Sequence, residues 1–500
     1  LSSFGGLALA DHQRASGESP TFWCRPNFIN YDKYSTKKIY ASMKKREFLK
    51  SATLLAAGTA FPQLMSCNNA KEESTDTINE AIKVGRTNWA GNYTYSTDNL
   101  VAPHTVEKLQ EIIQSYEKAK GLGTMHCFNG IADSKFNQIS TAAFNKVLSL
   151  DKEKQTVTVQ SGIKYGEFCK YLDENGFAMH NLASLPHISV AGACSTSTHG
   201  SGIKNGGLAT AVVALEMVNG KGELVKLSED KDGDEFKLAV IGLGALGIIT
   251  QLTLKVVPTF KMKQVVYQNM PMAALEQDFE KIMGSGYSVS LFTDWKNKNV
   301  SEVWIKNKSE DMVEIPKEFF GATLATKNLH PIVSADAINC TDQMGEEGPW
   351  YERMPHFKMG FTPSSGKELQ SEFFVDIKHA YKAFMAVEQL HEKVAPLLFI
   401  TEIRTIAADD LPMSPFYKKT CLAIHFTWKQ EIDAVNTLLP EIEKALDPFS
   451  PRPHWGKVFR MEPKVLQSRI SRLEEFKALM AKHDPDGKFR NDYINTNLFG

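Results

Sequence analysis

The 500-residue chain is 42% hydrophobic and 23% charged, ordinary globular material sufficient for two to four domains at roughly 150 residues each. Lys and Arg total 57 against 58 Asp and Glu, a formal net charge of −1, so nothing in the balance points to a polyanion, and nucleic acid is not an expected partner. The seven cysteines include no C-x-x-C pair, which excludes a zinc ribbon or a thioredoxin motif, and a chain this large has little need of a disulfide framework.

The first methionine, Met43, opens a cationic run (Lys44, Lys45, Arg46), and a mostly apolar stretch follows over 51–65. That stretch has signal-peptide length and is too short to span a bilayer. Residues 1–42 are read as an upstream or disordered extension, 43–67 as an export signal and 68–84 as a polar tether. Leu64-Met65-Ser66-Cys67 resembles the lipobox of a bacterial lipoprotein, in which Cys67 would carry the lipid and attach the protein to a membrane. Lys45–Lys50 resembles a twin-arginine export signal, with Lys45 where the first arginine belongs. The expectation is an exported protein, periplasmic or membrane-anchored; the alternative is a cytoplasmic one in which this segment is an ordinary helix.

Short strands mixed with helices are expected over 85–257. In Thr105–Lys120 the apolar residues Val106, Leu109, Ile112, Ile113 and Tyr116 recur at helical spacing. Thr105 can cap this helix, with acids early and Lys118 and Lys120 late. Strands are predicted at 155–160, within 207–225 and at 248–257, and a short helix at 165–175. A second region, 258–455, offers strands at 288–294, 303–306, 399–406 and 421–428 with amphipathic helices at 377–394 and 429–446. The rest, 456–500, is mostly helical. The class is α+β.

Several motifs invite chemistry. Gly242–Gly247 matches G-x-G-x-x-G, but a β-branched strand follows where a dinucleotide site needs a helix, and no acidic residue stands about 20 positions on. A nicotinamide site is therefore rejected. Asp230–Asp234 has a misplaced glycine for a calcium loop and reads as a solvated acidic turn; no metal is expected. The loop Gly121-Leu122-Gly123-Thr124-Met125-His126-Cys127 can offer N–H donors to a pyrophosphate, and Ser189–Gly202, with His199 in it, is a second loop of that kind. In the 399–406 strand Glu402 and Arg404 share a face with Ile400 and Ile406, and His425 and Thr427 share one in the 421–428 strand. Pairing the two strands would gather an acid, a base, an imidazole and a hydroxyl on one wall. Arg452–Lys457 holds His454, Trp455 and Lys457 on a tight loop.

Together these blocks resemble the flavoprotein oxidases of the vanillyl-alcohol oxidase type, and among them the alditol oxidases. The resemblance runs from about Thr87 to Tyr493 through Asn88-Trp89-Ala90-Gly91-Asn92, the His126 loop, Ala183–Ser189, Thr198–Gly202, Leu243–Gly247, Phe292–Trp295, Phe361–Ser365, Gln370-Ser371-Glu372, Glu402-Ile403-Arg404 and His454-Trp455-Gly456-Lys457. It implies a two-part FAD-binding domain plus a substrate (cap) domain whose antiparallel sheet is flanked by helices, with 456–500 returning to the FAD domain.

By the resemblance His126 binds the flavin covalently. Gly121–Cys127, Ser184, Ser189, Gly192, Thr196, Ser197, Thr198, His199, Ile249 and His454 contact FAD, and Ser184, Glu402, Arg404, Thr427 and Lys457 hold a polyol. Met125 stands where Gly or Arg is frequent and Cys127 where Ser is usual. With no cysteine in Asn181–Pro186, one covalent link is expected. The implied reaction oxidises the terminal hydroxyl of an alditol such as xylitol or sorbitol and reduces oxygen to hydrogen peroxide. Arg404 and Lys457 would surround the reacting hydroxyl, Lys457 would be the base, and Glu402 would hold Arg404. An aldonolactone oxidase is the nearest alternative; a flavin-free, sugar-binding surface lipoprotein is an alternative of another class.

Overall fold

In the computed structural model, which describes residues 85–360 and 367–500, the first helix begins where the Thr105 hydroxyl accepts from the Lys108 N–H, and α1 runs Val106–Ser115 with Leu109 and Ile113 buried. It stops short of the range its apolar pattern suggests. Tyr116 is already extended (φ −95°, ψ 134°), and Lys120 belongs to β1 (Lys120–Leu122), which pairs in parallel with β2 (Gln138–Ser140). The late lysines serve other ends. Lys118 donates to the Asp486 and Gly487 carbonyls, and the buried Lys120 Nζ donates to those of Leu243, Gly244 and Phe489. The expected export signal, Cys67 and tether lie outside the described residues, as does the Phe361–Ser365 block.

The chain continues through β3 (Val147–Asp151), β4 (Thr156–Gln160), α2 (Tyr165–Glu174), α3 (Val190–Ser195), β5 (Val212–Asn219), β6 (Leu224–Ser228), α4 (Glu229–Val240) and β7 (Gly247–Lys255). The strands form an antiparallel five-stranded sheet in the order β3-β4-β7-β5-β6. Alternation puts Val157, Val159, Leu252 and Leu254 into one core with Phe168 and Leu172 of α2 and Phe236 and Val240 of α4. Asp230–Asp234, expected as a turn, lies inside α4, where Gly233 (φ 47°) makes a kink. The Gly242–Gly247 stretch does lead into a strand, β7.

Next come β8 (Lys261–Pro271), α5 (Ala274–Met283), β9 (Ser288–Thr293), β10 (Asn299–Lys308), β11 (Glu368–Asp376), α6 (Ala380–Glu388), β12 (Leu398–Ile406), β13 (Cys421–Lys429) and α7 (Ile432–Leu446). They build a ten-stranded sheet with central order β8-β10-β9-β12-β13-β11, antiparallel throughout. The single helix expected over 377–394 is broken: α6 ends at Glu388 and a separate turn occupies His391–Val394. One face of the sheet buries Leu291, Phe373, Ile403, Ile424 and Phe426 against Phe279 of α5, Phe384 of α6 and Leu439 of α7. Since side chains alternate, the other face carries Glu372, Glu402, Arg404 and His425 between two smaller apolar clusters, one with Val266, Phe292 and Trp304 and one with Phe374 and Ile406. After α8 (Leu473–His483), whose Phe476 and Met480 enter the core of the five-stranded sheet, the Asn491 amide donates to the carbonyls of Gly130, Ile131 and Asp133. The architecture is α+β, as the sequence suggests.

Candidate active site

Close packing shapes the loop after β1. A Cβ on Gly121 would sit 2.9 Å from Ile248 Cδ1, and one on Gly123 or Gly192 would sit 2.7 or 2.8 Å from Ser189 Oγ. Gly123 thus lets its loop close on the start of α3, and Gly192 in the first turn of α3 leaves room for the Ser189 hydroxyl, which has no protein hydrogen-bond partner. Met125 adopts φ 61°, the left-handed region that costs a side chain roughly 1–2 kcal/mol. The turn is pinned by the Trp89 N–H, which donates to the Met125 carbonyl at 2.9 Å. The Trp89 ring stacks on His126, centroids 5.3 Å apart. Both His126 nitrogens are out of solvent without a protein hydrogen bond, and burial, aided by His187, pulls the ring down to about 4. His126 is therefore a neutral imidazole with an uncommitted lone pair.

This loop walls a cavity of about 370 Å³. Gly121, Leu122, Gly123, Thr124, Met125, His126 and Cys127 line it, with Ser184, Ser189, Gly192, Thr196, Thr198, His199, Ile249 and His454. Ser197, expected among them, does not: it is buried with φ 61° and is not part of the cavity wall. Ser195 occupies a place on the wall instead.

Across the cavity stands the polar face of the large sheet. Register sets a row: Glu402 on β12 lies opposite His425 on β13, which lies opposite Glu372 on β11. Ile400 and Gln370 likewise flank Thr427. The loop carrying Lys457 is stitched down on two sides. The His454 N–H donates to the Glu372 carbonyl at 3.0 Å and the Val458 N–H to that of Gln370 at 2.8 Å, while the Asn129 amide donates to the Trp455 and Lys457 carbonyls, each at 2.8 Å.

The sequence reading did not assign Glu372 a role, yet it is the hub. Its carboxylate accepts from Lys457 Nζ at 2.6 Å and from Arg404 Nη2 at 2.8 Å. Burial alone would raise this carboxyl; Lys457, His199 and Arg404 outweigh it and hold Glu372 well below the usual carboxylate range. Glu402 is likewise net lowered, burial being overcome by Arg404 and His356. Arg404 is held charged by both acids against the cost of burial.

Burial and the Lys457 charge push His425 well below an ordinary imidazole. Its Nδ1 faces Lys457 Nζ at 3.0 Å and Arg404 Nη2 at 3.2 Å. Both neighbours are donors, so Nδ1 accepts and the proton sits on Nε2, 3.4 Å from Thr427 Oγ1. His199 Nδ1 engages the Gly200 carbonyl at 2.8 Å, and its Nε2 lies 3.2 Å from the Glu372 carboxylate, out of hydrogen-bond alignment. Ligand-type atoms of His199, Glu372 and His454 lie within 4.8 Å of one another, but the Glu372 charge is already met by Lys457 and Arg404. Two more groups went unassigned: His356, whose Nε2 is 2.8 Å from Glu402 Oε1, and Lys306, 3.0 Å from His356 Nδ1. The missed signal for Glu372 is the alternation of Leu369, Ser371, Phe373 and Val375 with Glu368, Gln370 and Glu372, a half-buried strand in a segment without turn residues.

Comparison with known proteins accords with this geometry. Residues 97–228 match the family described as FAD binding domain, and 362–497 the family described as D-arabinono-1,4-lactone oxidase. An alditol oxidase from Streptomyces sp. (strain IKD472 / FERM P-14339) is 42% identical over 417 residues, 83% of this chain and 99% of the relative. The chain belongs to the alditol oxidase family of FAD-dependent enzymes. An L-gulono-1,4-lactone dehydrogenase of Mycobacterium tuberculosis stands further off at 26% identity, over 82% of this chain and 98% of that protein. Cholesterol oxidase from B. sterolicum shares the fold, with a TM-score of 0.66 at 13% identity over 82% of this chain and 96% of the other.

Family membership makes the chain an FAD-dependent alcohol oxidase and sets aside the flavin-free binding protein. The residues fit the cofactor. The orphaned Ser189 hydroxyl and His126 nitrogens, and glycines where a Cβ would collide with the opposite loop, are what a buried flavin nucleotide needs on its wall.

Proposed function

We propose that this alditol oxidase family member oxidises the terminal hydroxyl of a polyol, of the xylitol or sorbitol class, to the aldose, with oxygen reduced to hydrogen peroxide. The observation that carries the reading is the donor-and-acceptor wall of Glu402, Arg404, His425, Thr427 and Lys457 facing the His126 loop across one cavity. Filling it with an apolar alcohol would strip water from the hydrogen-bonding positions these groups do not use on one another, at roughly 1–3 kcal/mol for each left unmet; adjacent hydroxyls satisfy them.

Bound FAD would supply the redox chemistry, as acceptor of a hydride from the carbinol carbon and donor of an electron pair to oxygen. The protein's part is the hydroxyl proton. Lys457 Nζ has two acceptors, Glu372 at 2.6 Å and His425 Nδ1 at 3.0 Å. An ammonium meets both and keeps a third hydrogen for the substrate oxygen; once it has given up a proton, the neutral amine still serves both with its two hydrogens and turns a lone pair to the substrate hydroxyl. Burial, with Arg404, lowers Lys457 against the pull of Glu372, which favours that form. Once Lys457 takes the proton, the Glu372 carboxylate stabilises the ammonium. Arg404 faces developing alkoxide charge, Glu402 accepts from a substrate hydroxyl, and Ser184 and Thr427 bind hydroxyls further along the chain. Flavin bleaching by xylitol without oxygen, then one equivalent of peroxide on admitting air, tests the reading; bleaching by an aldonolactone alone would favour the second reading, suggested by the match of 362–497 to a lactone oxidase family.

We further read 85–257 with 456–500 as the FAD-binding part and 258–455 as the substrate part. His126 would carry a single covalent bond to the flavin, which the neutral, unpartnered imidazole supports. Flavin that stays with acid-precipitated protein, on a peptide containing His126, tests the bond. Export with lipid attachment at Cys67 rests on 43–67, and globomycin-sensitive processing with labelling by palmitate tests it.

A further inference from the structure

Lys306 and His356 sit behind Glu402 and have no place in the chemistry above. Lys306 lies on β10, buried, and its Nζ has three neighbours: the Met354 carbonyl at 2.6 Å, the Pro355 carbonyl at 2.9 Å and His356 Nδ1 at 3.0 Å. All three are acceptors, which uses every hydrogen of an ammonium. Burial draws this lysine down to about 7, but three acceptors and no donor fit the charged form. A donor on Nδ1 leaves the His356 proton on Nε2, which is 2.8 Å from Glu402 Oε1. Edge contacts with Phe292 and Trp304 (centroids 5.6 and 5.1 Å) fix the ring plane.

One oxygen of Glu402 is thereby loaded. Oε1 takes the His356 N–H and lies 3.5 Å from Arg404 Nε, while Oε2 has no hydrogen bond among the described residues. We propose that Lys306 and His356 are positioning residues for polyol binding: the lysine locks the tautomer of the histidine, and the histidine holds Glu402 ionised and turned so that Oε2 faces the substrate hydroxyls. This rests on the polyol reading and deepens it.

Other groups share the surroundings. Glu302 on β10 takes the Trp304 Nε1–H at 2.6 Å, Cys340 is buried nearby with its thiol pushed up to about 12, and Ser290 Oγ is 3.5 Å from His356 Nε2. Neither Glu302 nor Cys340 hydrogen-bonds Glu402; Arg404 first, then His356, and His425 opposite it on β13, hold its charge, with Lys306 acting through His356.

The anaerobic reductive half-reaction of the holoenzyme separates substrate dissociation constant from reduction rate. The wild type is titrated first with xylitol and with an aldonolactone, and whichever reduces it serves for the variants; a failed polyol reading thus leaves the pair still tested. H356L removes the donor. It is expected to raise the dissociation constant roughly tenfold at pH 7 while the limiting reduction rate changes less than about threefold. The dissociation constant also climbs further as pH falls from 7 to 5, because a Glu402 carboxyl without its donor protonates more readily. H356Q, whose amide can accept from Lys306 and donate to Glu402, is expected to stay within about threefold of wild type. K306M, which keeps the ring and carries the test if H356L does not fold, should weaken binding about threefold with the same pH trend. An unchanged dissociation constant and pH profile in H356L or K306M, or an H356Q no better than H356L, overturns the proposal.

Discussion

At Glu372 the charges of the site meet, and the magnitudes decide what its loss would do. Replacing it with Gln leaves Lys457 and Arg404 buried around a neutral amide. Breaking a buried pair on one side costs roughly 3–5 kcal/mol, so E372Q should lower the unfolding free energy obtained from urea titration by an amount in that range, where a surface pair would change it by less than about 1 kcal/mol. Lys457→Ala makes a different prediction. The lysine is held by Glu372 on one side and by backbone bonds of its loop on the other, so its truncation leaves the loop in place. Flavin content should stay near wild type while turnover falls by roughly 10²–10⁴; turnover within a few-fold of wild type would remove the lysine from proton transfer.

At the scale of elements, the site is a matter of register. Glu402, His425 and Glu372 form a row because β12, β13 and β11 pair antiparallel without a slip there, and a shift of one residue would send all three to the helix-covered face. The facing loops depend on close backbone approach. A Cβ on Gly200 would lie 2.2 Å from Asn181 Oδ1 and 2.3 Å from the Leu182 carbonyl, and the latter is backbone that cannot step aside. G200A should therefore cost roughly 1–3 kcal/mol and displace His199, which flavin occupancy and thermal unfolding would register together; a variant with full occupancy and an unchanged midpoint would contradict this packing. Much of this was legible beforehand. The shared faces of Glu402 with Arg404 and of His425 with Thr427 followed from alternation, the pairing of their strands was a supposition that the register bears out, and the glycine loops were legible from composition. What was not legible depended on tertiary contacts. Helical spacing carried the prediction of α1 on to Lys120, since nothing local reveals that a lysine is drawn into the core by three carbonyls from 243, 244 and 489. Glu372, His356 and Lys306 come from strands and a loop far apart in sequence, and only β11, through its alternation, left a local trace.

Over the whole molecule, the buried imidazoles should write themselves into the acid side of the stability profile. His356 is lowered to about 4, chiefly by burial and then by Lys306, and His425 and His454 are lowered well below 6.5, chiefly by burial and then by Lys457. Above pH 6.5 both folded and unfolded chains hold these rings neutral. As pH falls below that value the unfolded chain takes up protons that the folded one refuses, so stability declines toward pH 4 by up to about 1.4 kcal/mol per unit for each ring. Glu372 and Glu402, net lowered in the fold, add stability that is full above about 4.5 and is lost as pH falls further. Glu302 and Glu443, raised to about 7 chiefly by burial, and Asp409, raised to about 6, work the other way over the same window, so urea midpoints at pH 7, 6 and 5 should fall by less than the rings alone would give; a rising series would contradict the buried network. Whether one cavity holds FAD beside a polyol-binding wall is decided by anaerobic titration of the purified holoenzyme with xylitol. Stoichiometric bleaching of the flavin, with recovery of its colour and one equivalent of peroxide when oxygen is admitted, is the expected result; flavin that stays oxidised at saturating xylitol and sorbitol would overturn the polyol assignment.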